Sequence, residues 1–250
     1  MIKKIKIRIN FVRLNFRSIV RKIILHIISK SDYVSHLKVG YKCPKKWYGS
    51  SYGGFYVNPS LLNNDTIVYS FGIGKDMTFD NAIIKNHRCK VYGFDPTPKS
   101  VEYIQSRENS ALFEFRNYGI STVSSIEKFY LPKNEKSVSG CLIMNEFLDE
   151  NKSVDVKMKT LKDIAEELGH QQIDLLKMDI EGSEYEVIES ILESDIKIVQ
   201  LLVEFHDRFF DIENPQSKDT VELLMKNGFE IFATSLGFEE VSFINKNFVN

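Results

Sequence analysis

From residue 66 onward the chain alternates short apolar runs with segments of helical period. Residues 66–71 (TIVYSF), 90–95 (KVYGFD), 173–179 (IDLLKMD) and 198–205 (IVQLLVEF) are β-rich and carry few polar interruptions. Residues 76–87, 98–107, 160–168, 183–192 and 217–226 read as helices between and after them. A further strand is expected at 113–119, and β-segments at 126–131 and 154–158 flank a polar loop. Near-continuous apolar strands spaced by helices mean a mostly parallel sheet covered on both faces. Residues 229–235 and 241–246 read as two more strands, and the link between them is too short for a helical crossover. The pattern therefore predicts an α/β fold: a mostly parallel sheet with an antiparallel C-terminal hairpin and helices on both faces.

The first 64 residues follow different rules. Val12, Phe16, Ile19, Val20, Ile23 and Ile27 recur at helical spacing, beside a row of Arg13, Arg17 and Arg21. A cationic amphipathic helix is expected over residues 11–29. Residues 32–64 are rich in Gly and aromatics and read as a loop-rich connector or a lid. The expected organisation is thus a basic head at 1–31, this connector, and a main domain at 65–250.

Charge sharpens the contrast. The 250 residues sum to a net charge of −1, yet residues 1–31 hold nine Lys and Arg and no acid. The remainder carries 24 basic against 34 acidic residues. Three roles are open to the head: packing on the main domain or a second subunit, peripheral contact with an anionic membrane through residues 11–29, or nucleic-acid binding. Nucleic acid is not expected, because the body is acidic and shows no basic patch interleaved with aromatics. Arg17, Arg21, Lys22 and His26 break the apolar run, so it does not make a transmembrane span. Cys43, Cys89 and Cys141 are scattered and odd in number, which argues against a disulfide framework. They fit a reducing, cytoplasmic setting, with the membrane surface open to the head. The five His are dispersed and signal no metal site by spacing.

Four stretches carry candidate chemistry. Phe71-Gly72-Ile73-Gly74-Lys75-Asp76 lies between a strand and a helix, where α/β folds bind nucleotides and glycines admit a ligand to the backbone. Met77 stands where a dinucleotide fingerprint has its third Gly or Ala, which counts against a nicotinamide oxidoreductase. Asp95 follows at the distance of an acid that holds ribose hydroxyls, though an Asp before Pro96 also suits a plain turn. Lys177-Met178-Asp179-Ile180-Glu181-Gly182-Ser183-Glu184 puts three acids after a buried strand; Ser183 or Asp179 could cap the next helix, and Glu184 suits its first turn. Glu204-Phe205-His206 ends the next strand, and its imidazole could take a proton or simply bond a neighbour such as Glu204 or Asp207.

Together these stretches resemble the FkbM family of methyltransferases. The segment IDLLKMDIEGSE (173–184) is similar to the family's K-x-D-x-E-G-x-E signature, and TLKDIAEELG (160–169) and LLVEFH (201–206) fit the family's order. The resemblance runs from about residue 64 to about 245. It implies a Rossmann-like methyltransferase fold with S-adenosylmethionine as cofactor, and commonly O-methylation of a hydroxyl on a sugar, glycan or related natural product. Ser70, Gly72, Gly74, Asp76 and Asp95 are then the cofactor-binding candidates, and Asp179, Glu181 and His206 the catalytic ones facing the acceptor. Ser70 departs from an acid often found before the glycine turn in such families, and Asp76 is the candidate to compensate for it. The acids could alternatively hold a divalent ion. A non-catalytic adaptor docking through its basic head is the rival from another class.

Overall fold

A computed structural model describes residues 32–134, 140–142, 148–210 and 214–249. The basic amphipathic helix expected at 11–29 lies outside the described residues.

In chain order the elements are β1 (Lys46–Tyr48), β2 (Phe55–Val57), β3 (Ile67–Phe71), α1 (Thr78–His87), β4 (Lys90–Phe94), α2 (Pro98–Gln105) and β5 (Phe113–Arg116). Then come β6 (Gly119–Ile120), β7 (Ser125–Pro132), β8 (Leu148–Lys159), α3 (Leu161–Leu168), β9 (Gln172–Met178), α4 (Glu184–Leu192) and β10 (Lys197–Glu204). The last elements are α5 (Gln216–Lys226), β11 (Phe229–Thr234) and β12 (Glu240–Asn245).

Seven strands form the central sheet in the order β11-β12-β10-β9-β3-β4-β5. β5, β4, β3, β9 and β10 are parallel, as their apolar runs predict. β12 turns back antiparallel and slots between β10 and β11, so the closing hairpin is stitched into the sheet rather than hung on its edge. The α/β class, the mostly parallel sheet and the antiparallel hairpin are as expected.

Strand alternation sends side chains to two cores. Tyr69 and Phe71 pack with Ile164, Ile188 and Leu224 from α3, α4 and α5. Val68, Val91 and Leu175 pack on the other face with Ile83 of α1 and Ile104 of α2. After β3 the chain moves outward through β4 and β5, then returns to lay β9 on the other side of β3. That reversal opens a crevice at the carboxyl ends of β3, β4 and β9, where open α/β sheets take ligands.

Two segments differ from the sequence reading. Residues 32–64 are no mere connector: they hold the β1–β2 hairpin, whose Tyr48, Phe55 and Val57 are buried in the second core. The Asn58 N–H donates to Gln200 Oε1 at 2.8 Å, and the Ser242 hydroxyl donates to the Tyr56 carbonyl at 2.7 Å, tying the hairpin to β10 and β12. Three-residue strands are too short to show a period. β8 runs from 148 rather than 154, pairing with β7 in a separate sheet with β6. After the buried Leu148 its first half, residues 149–153, is polar and mostly exposed, so no apolar alternation marks it.

Candidate active site

The glycine turn connects β3 to α1. Gly72 and Gly74 both have positive φ, +76° and +57°, which side chains seldom adopt. Their surroundings differ. A Cβ on Gly72 would lie 1.7 Å from the Asp179 carbonyl, so this glycine lets β9 close up on the turn. A Cβ on Gly74 would meet no atom within 4 Å, so this glycine faces open space. The pair therefore combines a packing glycine with one that bares backbone to a cavity.

Asp95 holds that turn in place. One carboxylate oxygen accepts from the Gly74 N–H and the other from the Thr97 N–H, both at 2.8 Å. Each oxygen keeps further acceptor capacity, and Asp95 borders the cavity. Both readings of Asp95 thus meet in one geometry: it organises the turn and presents a carboxylate beside it. Asp76 ties the turn to the hairpin. It accepts from the Ser50 hydroxyl at 2.5 Å and from the Thr78 N–H at 2.9 Å. Burial works to raise its pKa, but the Ser50 and Thr78 bonds outweigh that, and the carboxyl lies below its ordinary value.

Ser70 stands apart from the cofactor-binding role expected of it. It is fully buried, pairs in register with Lys177 and does not border the cavity. Strand alternation turns it toward α1, beside Asp80. Burial raises the Asp80 carboxyl, with Lys177 and Ser70 pulling the other way. The acid beside Ser70 thus comes from helix α1, while Asp76 supplies the acid that borders the cavity.

The acidic loop follows β9. Glu181 is one of three non-glycine residues with positive φ among those described, at +55°, and Gly182 follows at +106°. Strain of this kind persists only where the surroundings enforce it. Glu184, fully buried at the start of α4, does so: its carboxylate accepts from the Ile180 N–H at 3.1 Å and the Gly182 N–H at 3.0 Å. The Cys141 thiol donates to the Glu181 carbonyl at 2.7 Å. Ser183 occupies the N-cap position without a side-chain cap bond, so the capping expected of Ser183 or Asp179 is not made, and Glu184 instead folds back onto the loop before the helix. Asp179 and Glu181 end up partly exposed on the cavity wall.

His206 lies behind that wall and is fully buried. Its Nδ1 is 2.8 Å from Glu184 Oε1 and 3.1 Å from the Glu204 carbonyl. Its Nε2 points toward Glu181 Oε2 at 3.3 Å and Asp179 Oδ1 at 3.7 Å. Burial alone would lower the imidazole pKa, but Glu184 and Glu181 overcome it and hold it well above the ordinary value. Burial also raises the Asp179 carboxyl; Lys177 and His206 oppose this, while Glu181 and Glu184 reinforce it.

These parts enclose one cavity of about 450 Å³, a size typical of small-molecule sites. Gly72, Gly74, Asp76 and Asp95 border it, as do Asp179 and Glu181, with Ser50 to Gly53 forming a further part of the wall. The sequence reading singled out Lys177 in its motif but gave it no role; its ammonium donates to the Gly72 carbonyl at 2.8 Å beside the cavity. That reading also missed Glu184 as the hub of the acidic loop.

The architecture is that of an α/β domain with a small-molecule site at the switch point of its sheet. Residues 66–231 match the family model of the methyltransferase FkbM domain, and the chain belongs to this family. S-adenosylmethionine is the cofactor that comes with it, and the open face of Gly74 beside Asp95 is a cradle that suits such a ligand. The chain is 26% identical over 159 residues to the human "Probable methyltransferase-like protein 24", covering 61% of this chain and 36% of that protein. The rat protein of the same description is 27% identical over 159 residues, covering 62% and 36%. The chain thus spans about a third of the length of these relatives. Among solved structures, an rRNA methylase from Streptococcus thermophilus aligns with a TM-score of 0.37 and 12% identity, covering 74% of this chain and 90% of its own. Aeropyrum pernix fibrillarin with bound S-adenosylmethionine aligns with a TM-score of 0.41 and 9% identity, covering 85% of each chain.

Proposed function

We propose that this protein transfers a methyl group from S-adenosylmethionine to a hydroxyl oxygen of a small molecule or glycan. The observation that carries the reading is that one cavity is bordered both by Gly74 and Asp95 and by the Asp179 and Glu181 carboxylates. When bound, the cofactor supplies a methyl group activated on a sulfonium. The chain's own part is alignment and proton handling. Gly74 leaves room for the ligand, and the Asp95 carboxylate offers acceptor capacity for ribose hydroxyls. The Ser50–Gly53 wall limits water on one side. An acceptor hydroxyl must lose its proton as its oxygen gains the methyl. Asp179 and Glu181 stand on the wall to take it, and the buried imidazole of His206 behind them steadies the negative charge.

The test is calorimetric titration with S-adenosylmethionine, followed by a panel of hydroxylated sugars and glycans scored for S-adenosylhomocysteine release. Binding with turnover on at least one hydroxyl acceptor is expected. Absence of binding overturns the reading, and binding without turnover on any acceptor favours the adaptor.

A further inference from the structure

We infer that Asp179, Glu181 and His206 bind one divalent metal ion of manganese-like chemistry at the cavity wall. Among the described residues, these three bring one donor atom each to within 4.8 Å of one another. The His206 Nε2 stands 3.3 Å from Glu181 Oε2 and 3.7 Å from Asp179 Oδ1. Donor atoms around an ion at about 2.1 Å are spaced roughly 3–3.5 Å apart, so small side-chain shifts close the site.

A second observation comes from the imidazole itself. Nε2 is buried and makes no hydrogen bond, although carboxylate oxygens surround it. On the opposite side of the ring, Nδ1 faces the Glu184 carboxylate and the Glu204 carbonyl, and both can only accept. Glu184 is itself fixed as an acceptor by the Ile180 and Gly182 N–H groups. Nδ1 is thereby held as a donor, and Nε2 faces the two acids, where it could give its lone pair to an ion bound between them in place of a proton. A carboxylate gripping the far nitrogen is also how proteins orient a metal-binding imidazole.

The local charge points the same way. Glu204 Oε1 is a further carboxylate oxygen 3.7 Å from Nε2. Among the described residues, Lys177 is engaged by the Phe71 and Gly72 carbonyls, and Arg208 pairs with Glu239 at 2.7 Å and with Glu204 at 3.6 Å, which leaves Asp179 and Glu181 as the acids facing Nε2 from the cavity side. Asp179 and Glu181 border the cavity while His206 lies behind them, so positions left open on the ion would face the cavity. One imidazole with two carboxylates suits manganese(II), iron(II) or zinc(II) better than magnesium or calcium, which prefer oxygen alone.

The ion site stands on these residues; its role in catalysis rests on the methyl-transfer reading. There the ion would lower the pKa of a bound acceptor hydroxyl, replacing direct proton uptake by the carboxylates.

The experiment titrates the metal-stripped full chain with manganese(II) chloride, following free ion by electron paramagnetic resonance, with magnesium in parallel. S-adenosylmethionine affinity is measured on the same samples. One manganese per chain, bound more tightly than magnesium, is expected. His206→Gln and Asp179→Asn should each weaken it by about tenfold or more, with cofactor binding kept in both and the thermal transition kept in Asp179→Asn. Should His206→Gln fail to fold, Asp179→Asn, at the cavity surface, carries the test. A wild-type chain with no specific manganese site, or variants that bind like the wild type, overturns the inference. Manganese binding without cofactor binding would overturn the methyl-transfer reading instead and leave the ion site standing.

Discussion

Gly72 and Gly74 sit two residues apart in one turn, yet substitution should separate them. In Gly72→Ala the new methyl meets the Asp179 carbonyl, a backbone atom that cannot swing away. We expect a loss of about 3 kcal/mol or more in urea unfolding, since a clash and an adverse φ combine. In Gly74→Ala the methyl enters open space, so only the left-handed φ is felt, about 1–2 kcal/mol. Its larger effect should be on S-adenosylmethionine affinity, weakened about tenfold, or about 1.4 kcal/mol. Equal stability losses with unchanged affinity would contradict the assignment. Glu184 offers a second contrast. Glu184→Ala strips the acceptor from two backbone N–H groups and from His206, and should cost about 3 kcal/mol; chemical denaturation reads it. At this scale the sequence showed which residues meet. Gly72, Asp95, Asp179 and Glu181 all reach the cavity because strand ends bring motif residues to one sheet edge. It did not show how each is used. Ser70 turns away because alternation along β3 aims it at α1, and Glu184 governs the loop because its carboxylate folds back onto backbone. Those are matters of side-chain direction, which a motif does not encode.

Between residue and molecule stands the β1–β2 hairpin, which was hidden in the sequence because its strands have three residues each. The parallel strands were legible by contrast, since burial on both faces demands unbroken apolar runs. The hairpin turn is anchored by Ser50, whose hydroxyl donates to Asp76 and accepts from the Tyr52 and Gly53 N–H groups. Trp47, the single tryptophan, donates from its indole to the Ser50 carbonyl at 3.0 Å and so reports on this turn. Ser50→Ala should shift Trp47 emission and lower stability by about 1 kcal/mol. The same link predicts an acid limit. The Asp76 pKa is depressed in the folded chain, so its contribution is full above the unfolded value of 3.8 and is lost as pH falls through the lower folded value. Trp47 emission should therefore hold from neutral pH down to mild acid and change only below about pH 3.8. An Asp76→Asn chain should show the altered emission at every pH. A change near pH 6 in the wild type would place control of the turn elsewhere.

At the scale of the whole molecule, the question is where the folding unit begins. The family match opens at residue 66, and the sequence pattern places the main domain there too. The cores cross that line. Val34 and Leu37 are 4% and 5% exposed within the core beneath α3 to α5, and Tyr48, Phe55 and Val57 are 0–2% exposed in the opposite core. The Gly40 and Tyr41 N–H groups both donate to the Ile231 carbonyl, fastening this segment to β11. Burying side chains of this size stabilises by about 1.5–3 kcal/mol each, against a net stability of about 5–15 kcal/mol for a typical domain. Losing five together leaves little of that margin. A chain starting at residue 65 should therefore lack a cooperative thermal transition and expose apolar surface to dye. A chain starting at residue 32 keeps every buried residue named above and should unfold with a sharp transition and bind S-adenosylmethionine like the full chain. Removing residues 1–31 also takes away nine basic residues and no acid. Each basic side chain near an anionic surface contributes about 1 kcal/mol, so the shortened chain should lose any attachment to phosphatidylserine vesicles that the full chain shows. Cooperative folding from residue 65 would mean that the hairpin only drapes the core. Undiminished vesicle binding from residue 32 would remove the membrane role from the head and leave it to packing on the domain or on a second copy.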